Sequence, residues 1–199
     1  VLYLNTGILK AINHKRSILE LFPVSETDIV FLGDSITEQC NWSELFQNTN
    51  IKNWGIGGDS TRGVLMRLHS IVEGKPSKVF LCIGTNDRIM RIGMAKTIEN
   101  VGKIIQTIQE GSESTMIYLE SLLPVRGLVA NLNTNGRILK INAAIESIAA
   151  ELNVPFLNIH DLFLDEKGRM DKQYSLDGLH LNGEGYIKWK GIIQQYVDE

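Results

Sequence analysis

Apolar residues along this 199-residue chain follow two rhythms that take turns. Short unbroken runs, such as Ile29-Val30-Phe31-Leu32 and Val79-Phe80-Leu81-Cys82-Ile83, have the make-up of strands covered on both faces. Between such runs, apolar positions recur three and four residues apart, as in Ile98, Val101, Ile104, Ile105 and Ile108, the spacing of one helix face. The pattern predicts strands over 28–33, Ile51–Trp54, 78–83, Thr115–Leu122 and Pro155–Ile159. It predicts helices over 8–22, Trp42–Phe46, 60–73, 94–110, 134–152 and Glu184–Val197. Strand–helix units repeated in this way, joined by right-handed crossovers, build a parallel sheet with helices on both faces. The expected fold class is α/β, a three-layer α/β/α arrangement around a five-stranded parallel sheet. No internal repeat, linker or low-complexity stretch interrupts it, so residues 1–199 read as one domain.

Composition narrows the classes of partner. Hydrophobic residues make up 43% and charged residues 22%, ordinary for a globular chain. Twenty basic against 23 acidic side chains give a net charge of -3 without a basic cluster, which argues against nucleic acid. No apolar run approaches the roughly 20 residues that span a bilayer, so stable membrane insertion is not expected. The chain opens at Val1 and not at Met, which leads us to expect that a preceding segment was removed. If that segment was a signal peptide the protein is secreted or periplasmic, and otherwise cytoplasmic. The two cysteines, Cys40 and Cys82, have neither zinc nor redox spacing and read as structural.

Four separated segments carry candidate chemistry. Ser35 follows the most apolar strand directly, where a strand-to-helix turn lifts a hydroxyl and its own N–H above the sheet edge. Capping a helix is the competing role for such a serine. A second Gly-Asp-Ser ends at Ser60, which reads as the N-cap of the helix starting at Thr61, leaving Gly58 as a close-approaching backbone N–H. Asn86 lies just past a buried strand, where its amide can donate into a cleft or merely shape its turn, and Asp87 reads as a turn or cap residue. Among four histidines, His14 and His69 fall on helix surfaces and His160 at a strand end. Only His180 has a carboxylate, Asp177, three residues before it in a loop. That spacing suits a carboxylate that fixes an imidazole tautomer. A Gly-x-Gly-x-x-Gly dinucleotide motif is missing, because Gly55-x-Gly57-x-x-Ser60 lacks the third glycine and follows a later strand.

Together, Gly33-Asp34-Ser35, Gly58, Gly84-x-Asn86 and Asp177-x-x-His180 resemble the four blocks of the SGNH (GDSL-type) hydrolases, over about residues 28 to 190. Within that family, Phe31–Ser35, Gly55–Arg62, Leu122–Arg126 and His180–Tyr186 are most similar to platelet-activating-factor acetylhydrolase catalytic subunits. The resemblance implies a flavodoxin-like sheet with no metal and no cofactor. It makes Ser35 the nucleophile and Asp177 and His180 the rest of a triad, with Ser35, Gly58 and Asn86 donating to the oxyanion. The expected activity is a serine esterase acting through an acyl-enzyme on short-chain, above all acetyl, esters of a carbohydrate or other small polar alcohol. Lysophospholipase or thioesterase activity on the same site and a non-catalytic glycan-binding domain are the competing readings. The expected partner is a small ester, and the expected state a monomer or weak homodimer. Arg62, Arg88, Arg91 and Arg126 lie in or near segments flanking the expected cleft, where one could receive a substrate carboxylate or phosphate, the competing reading being solvated surface groups.

Overall fold

The computed structural model describes residues 2–127 and 134–199; Val1 lies outside them, and the side chains before Thr6 are not described. Strands β1 (Ile29–Gly33), β2 (Ile51–Gly55), β3 (Lys78–Cys82), β4 (Met116–Glu120) and β5 (Phe156–Leu157) form one sheet in the order β2-β1-β3-β4-β5. Every pairing is parallel. Helices α1 (Leu2–Leu19), α2 (Ser35–Glu38), α3 (Trp42–Phe46), α4 (Thr61–Leu65), α5 (His69–Gly74), α6 (Met94–Gly111), α7 (Thr134–Glu151) and α8 (Gly183–Asp198) surround it. This is the five-stranded α/β/α architecture and flavodoxin-like strand order that the sequence led us to expect.

Alternation along the strands sorts the core into two layers. Val30, Leu32, Val79, Leu81, Ile117 and Leu119 face one side and meet the apolar stripes of α4 to α7. Ile29, Phe31, Phe80, Cys82 and Tyr118 face the other and meet α2, α3 and α8. On that second face Phe31, Phe80 and Tyr118 are in register on three neighbouring strands. Their rings stack at 4.9 and 4.8 Å, and Trp42 extends the stack at 4.3 Å from Phe31. Each such pair contributes about 0.5–1.5 kcal/mol beyond its buried area.

Several predicted bounds change. The helix expected over 60–73 is two short helices, α4 and α5, because the chain turns at Met66–Leu68 to bury the Arg67 side chain. The predicted strand at 155–159 shrinks to two residues, since pairing to β4 ends where the chain turns into a 3-10 helix over His160–Phe163. Helix α6 buries Thr97 and Asn100 together with Val101, Ile104, Ile105 and Ile108, while Ile98 is only partly covered. Its inner face is rotated from the purely apolar stripe because Asn100 donates to the Thr61 hydroxyl at 2.8 Å. Among the described residues no helix is long and apolar enough to cross a membrane.

One carboxyl sits in the aromatic layer. Glu120, 1% exposed at the end of β4, accepts from Trp189 Nε1 at 2.7 Å. Burial pushes it up to about 8, and that one donor only partly offsets the loss of water. The unfolded chain ionises this group near pH 4.5 while the folded chain holds its proton to about pH 8, so it lowers stability progressively as pH rises between the two. Glu120→Gln keeps the acceptor for Trp189 and removes the ionisation. Its thermal midpoint is expected to match the parent near pH 4 and to exceed it at pH 9. An identical difference at both pH values would show that Glu120 does not hold its proton.

Candidate active site

Strands β1 and β3 are neighbours, yet their connections leave towards opposite sides, so their carboxyl ends border a crevice. Asp34 and Ser35 follow β1 at this crevice, and Asn86 follows β3. The Asp34 carboxylate accepts the Ile36 N–H at 3.0 Å, capping α2 and leaving Ser35 partly exposed on its first turn. Asn53 of β2 anchors the other end of α2. Its amide donates to the carbonyls of Thr37, Glu38 and Cys40 at 3.1, 3.0 and 2.8 Å.

Ser35 Oγ lies 3.0 Å from His180 Nε2, and His180 Nδ1 lies 2.7 Å from Asp177 Oδ2. The loop that brings them there closes on itself. Asp177 Oδ1 accepts the N–H groups of both Leu179 and His180 at 2.8 Å. Gly178, at φ +84, donates to Ser175 Oγ, and its carbonyl accepts from Arg126 N at 2.7 Å. Partial burial works to raise the Asp177 pKa, but the hydrogen bonds from the His180 ring and from the two backbone N–H groups outweigh it and hold the carboxylate down at about 2. Asp177 is therefore ionised throughout the neutral range and aimed at the imidazole.

The Gly57-Gly58 turn borders the serine. A Cβ placed on Gly57 would stand 3.9 Å from Ser35 Cβ, and the Gly57 N–H is held by Glu38 Oε2 at 2.7 Å. Gly58 adopts φ +77, a conformation that glycine reaches without strain. Asn86 sits in a one-turn 3-10 helix started by Gly84, whose φ of +137 breaks the line of β3. Its amide donates to the Asp59 carbonyl at 3.0 Å and lies 3.3 Å from Asp34 Oδ2.

Beneath these groups is a polar layer that sequence reasoning missed. Arg67, 2% exposed, bonds Asp59 Oδ2 at 2.9 Å, the Trp54 carbonyl at 2.8 Å and the Gly33 carbonyl at 3.0 Å. Asp87 accepts the Thr61 N–H and hydroxyl at 2.8 and 2.6 Å, which bears out its reading as a cap residue. Ser60 accepts from Gly63 N and caps α4, also as expected. Burial pushes Asp34 up to about 7, opposed by its bond from Ile36 N and reinforced by the charge of Asp59. An Arg inside an apolar helical stripe gave no sequence signal of this kind, because periodicity places it on a surface.

His14 and His69 are exposed, and His160 is buried against Asp161. The Arg126 guanidinium bonds Asp165 and the Met170 carbonyl. Arg62 and Arg91 are exposed, and Arg88 reaches Thr134. Among the described residues no group of three His, Cys, Asp or Glu could hold a metal ion. The arrangement that remains, a hydroxyl hydrogen-bonded to an imidazole that is itself bonded to an ionised carboxylate, can activate a serine for acyl transfer.

Comparisons with known proteins address the family and the fold. The model of the GDSL-like Lipase/Acylhydrolase family matches residues 31–187. The human platelet-activating factor acetylhydrolase IB subunit alpha2 is 32% identical over 94% of this chain and 84% of its own length. A Streptococcus pneumonia structure whose description refers to platelet activating factor is 32% identical, with a TM-score of 0.88 over 99% of this chain and 97% of that one. An acetylxylan esterase from Geobacillus stearothermophilus shares the fold at 16% identity, with a TM-score of 0.72 over 87% of this chain and 95% of that one.

Removing one side of the buried pair exposes the dependence of the crevice on it. Arg67→Ala leaves Asp59 buried without its cation, and is expected to cost about 3–5 kcal/mol of unfolding free energy. Urea denaturation checks this as a lower midpoint at an unchanged slope. A loss within 0.5 kcal/mol, roughly the range of ordinary surface substitutions, would remove Arg67 from the supports of the site.

Proposed function

The chain belongs to the GDSL-like lipase/acylhydrolase family, and from that premise we propose that it is a serine esterase for short-chain, chiefly acetyl, esters of a carbohydrate or other small polar alcohol. The observation that carries this reading is the hydrogen-bond chain Ser35–His180–Asp177 at 3.0 and 2.7 Å. Ser35 Oγ attacks the ester carbonyl while His180 Nε2 takes its proton, and the Asp177 carboxylate stabilises the imidazolium. His180 then returns the proton to the departing alcohol. Water repeats the sequence on the acyl-enzyme and frees the acid and Ser35.

The oxyanion is assigned to the backbone N–H groups of Ser35 and Gly58 and to the Asn86 amide. Neither backbone N–H is bonded to another group among the described residues. The Asn86 Nδ2 has two hydrogens. The Asp59 carbonyl takes one, and the long contact to Asp34 competes weakly for the other because that carboxyl holds its proton to about pH 7. A small polar alcohol suits a cleft whose walls are Asp, Asn, Gly and His. Leu176, beside Asp177, is 91% exposed.

A fluorophosphonate is expected to label Ser35, as read by peptide mass. Ser35→Ala is expected to abolish both label and ester turnover, and Ser60→Ala to keep the label. Label on Ser60, or an unlabelled parent, sinks the reading, the second outcome favouring a glycan-binding module. Acyl esters of rising length then separate an acetylesterase from a lysophospholipase or thioesterase.

Asn86→Ala tests the oxyanion assignment. Charge appears on the carbonyl oxygen only as it becomes tetrahedral, so the loss falls on kcat by roughly 10²–10³ while KM moves little. A folded variant with near-normal kcat takes Asn86 out of the chemistry.

A further inference from the structure

Helix α1 reaches the crevice at one end. Its inward stripe is Ile8, Ile12, Lys15 and Leu19, spaced as one face of a helix. Leu19 packs against the core at the end remote from the site, and Ile12 is buried. Lys15 Nζ lies 3.1 Å from Glu38 Oε1, and the second oxygen of that carboxylate holds the Gly57 N–H. Ile8 completes the stripe. A Cβ on Gly58 would come within 2.9 Å of Ile8 Cγ2, so this methyl group lies against Gly58 where a side chain of residue 58 would point. Leu9, Lys10 and Ala11, outside this stripe, are open to solvent.

The order of loops along the sheet says which part of an ester meets this methyl group. Gly58 follows β2 at the sheet edge, Ser35 follows β1, and Asn86 follows β3. The Asp177–His180 loop is tied, through Gly178 and Arg126, to the segment after β4. The departing alcohol must lie at His180, which gives it a proton. The acyl substituent of the same tetrahedral carbon is directed away from His180, and at the β2 edge Ile8 stands beside Gly58.

We propose that Ile8 of α1 closes the acyl end of the cleft and sets the length of acyl chain accepted, with the Lys15–Glu38 pair holding α1 against the Gly57-Gly58 turn. The inference rests on the esterase reading and supplies the wall that makes acetyl the preferred acyl group. Deleting its side chain opens room for further methylenes, each of which changes kcat/KM by roughly 10-fold or more when a pocket is built to accept it.

The test measures kcat/KM for acetyl, butyryl and hexanoyl esters of one alcohol, with active sites counted by fluorophosphonate titration so that only folded enzyme enters the rate. The parent is expected to prefer acetyl. Ile8→Ala is expected to raise the hexanoyl-to-acetyl ratio by roughly tenfold or more. Ile8→Val, the milder change, is expected to move it in the same direction by less. Leu9→Ala, on the solvent face of the same helix, is expected to leave the ratio unchanged. An unmoved ratio in titratable Ile8→Ala and Ile8→Val, or an equal shift in Leu9→Ala, overturns the inference while the esterase reading stands; a parent that prefers hexanoyl overturns the inference together with the short-chain part of that reading. A parent that neither labels nor turns over any ester overturns both.

Discussion

One buried guanidinium holds the parts of this crevice together. Arg67 joins the Gly33 carbonyl, immediately before Asp34 and Ser35, to the Trp54 carbonyl at the end of β2 and to the Asp59 carboxylate beyond Gly58. Three segments thus share one planar donor, alongside the Asn53 and Glu38 hydrogen bonds that also link the first two. The fork geometry of arginine suits this task, because a lysine offers a point charge and no fixed directions. The distance between the Ser35 turn and the Gly57-Gly58 turn depends on it. So does the break between α4 and α5, since a continuous helix would not place residue 67 under the sheet edge.

Charge is handled in opposite ways above and below that layer. Asp34 and Glu120 are buried with few donors, and loss of water raises both of them towards neutrality. Asp177 is more than half exposed and receives two backbone N–H groups and an imidazole, so it stays ionised. A fully ionised carboxylate beside His180 and one beside Asn86 that burial raises to about 7 place more of the negative potential on the imidazole side of Ser35. The side where an oxyanion would form keeps its donors. The same residue type therefore plays two parts, decided by solvent access and by the number of donors.

The aromatic stack and the polar layer divide the work of the two core faces. Phe31, Phe80 and Tyr118 fill one face with large rings in register across β1, β3 and β4, and Trp42 of α3 extends the stack. The face against α4 to α7 is filled by branched aliphatic side chains and carries the buried Thr61–Asp87–Asn100 contacts at its crevice end. Rigid strands with their polar groups gathered at the carboxyl ends are what a catalytic crevice of this fold needs.

The alternation of apolar runs with helical stripes was enough to specify five parallel strands and their layers, because burying both faces of a parallel sheet leaves few other arrangements. The residue types at Ser35, Asn86, Asp177 and His180 were legible for a related reason. Each lies at a strand end or in a short loop, where local spacing already suggests chemistry, and the Asp177–His180 contact is closed by a loop of four residues. Ser35 and His180, by contrast, are 145 positions apart, and only the packing of α8 and its preceding loop brings them to 3.0 Å. Arg67, Asp59 and Asn53 were invisible to periodicity, since a buried polar residue looks like a surface one until its partners are known. The short α2, the broken helix at residue 66 and the seat of Ile8 on Gly58 likewise follow from contacts between distant segments. Local pattern records which face of an element is apolar; which polar groups share the interior is decided by tertiary hydrogen bonds, and those have no period.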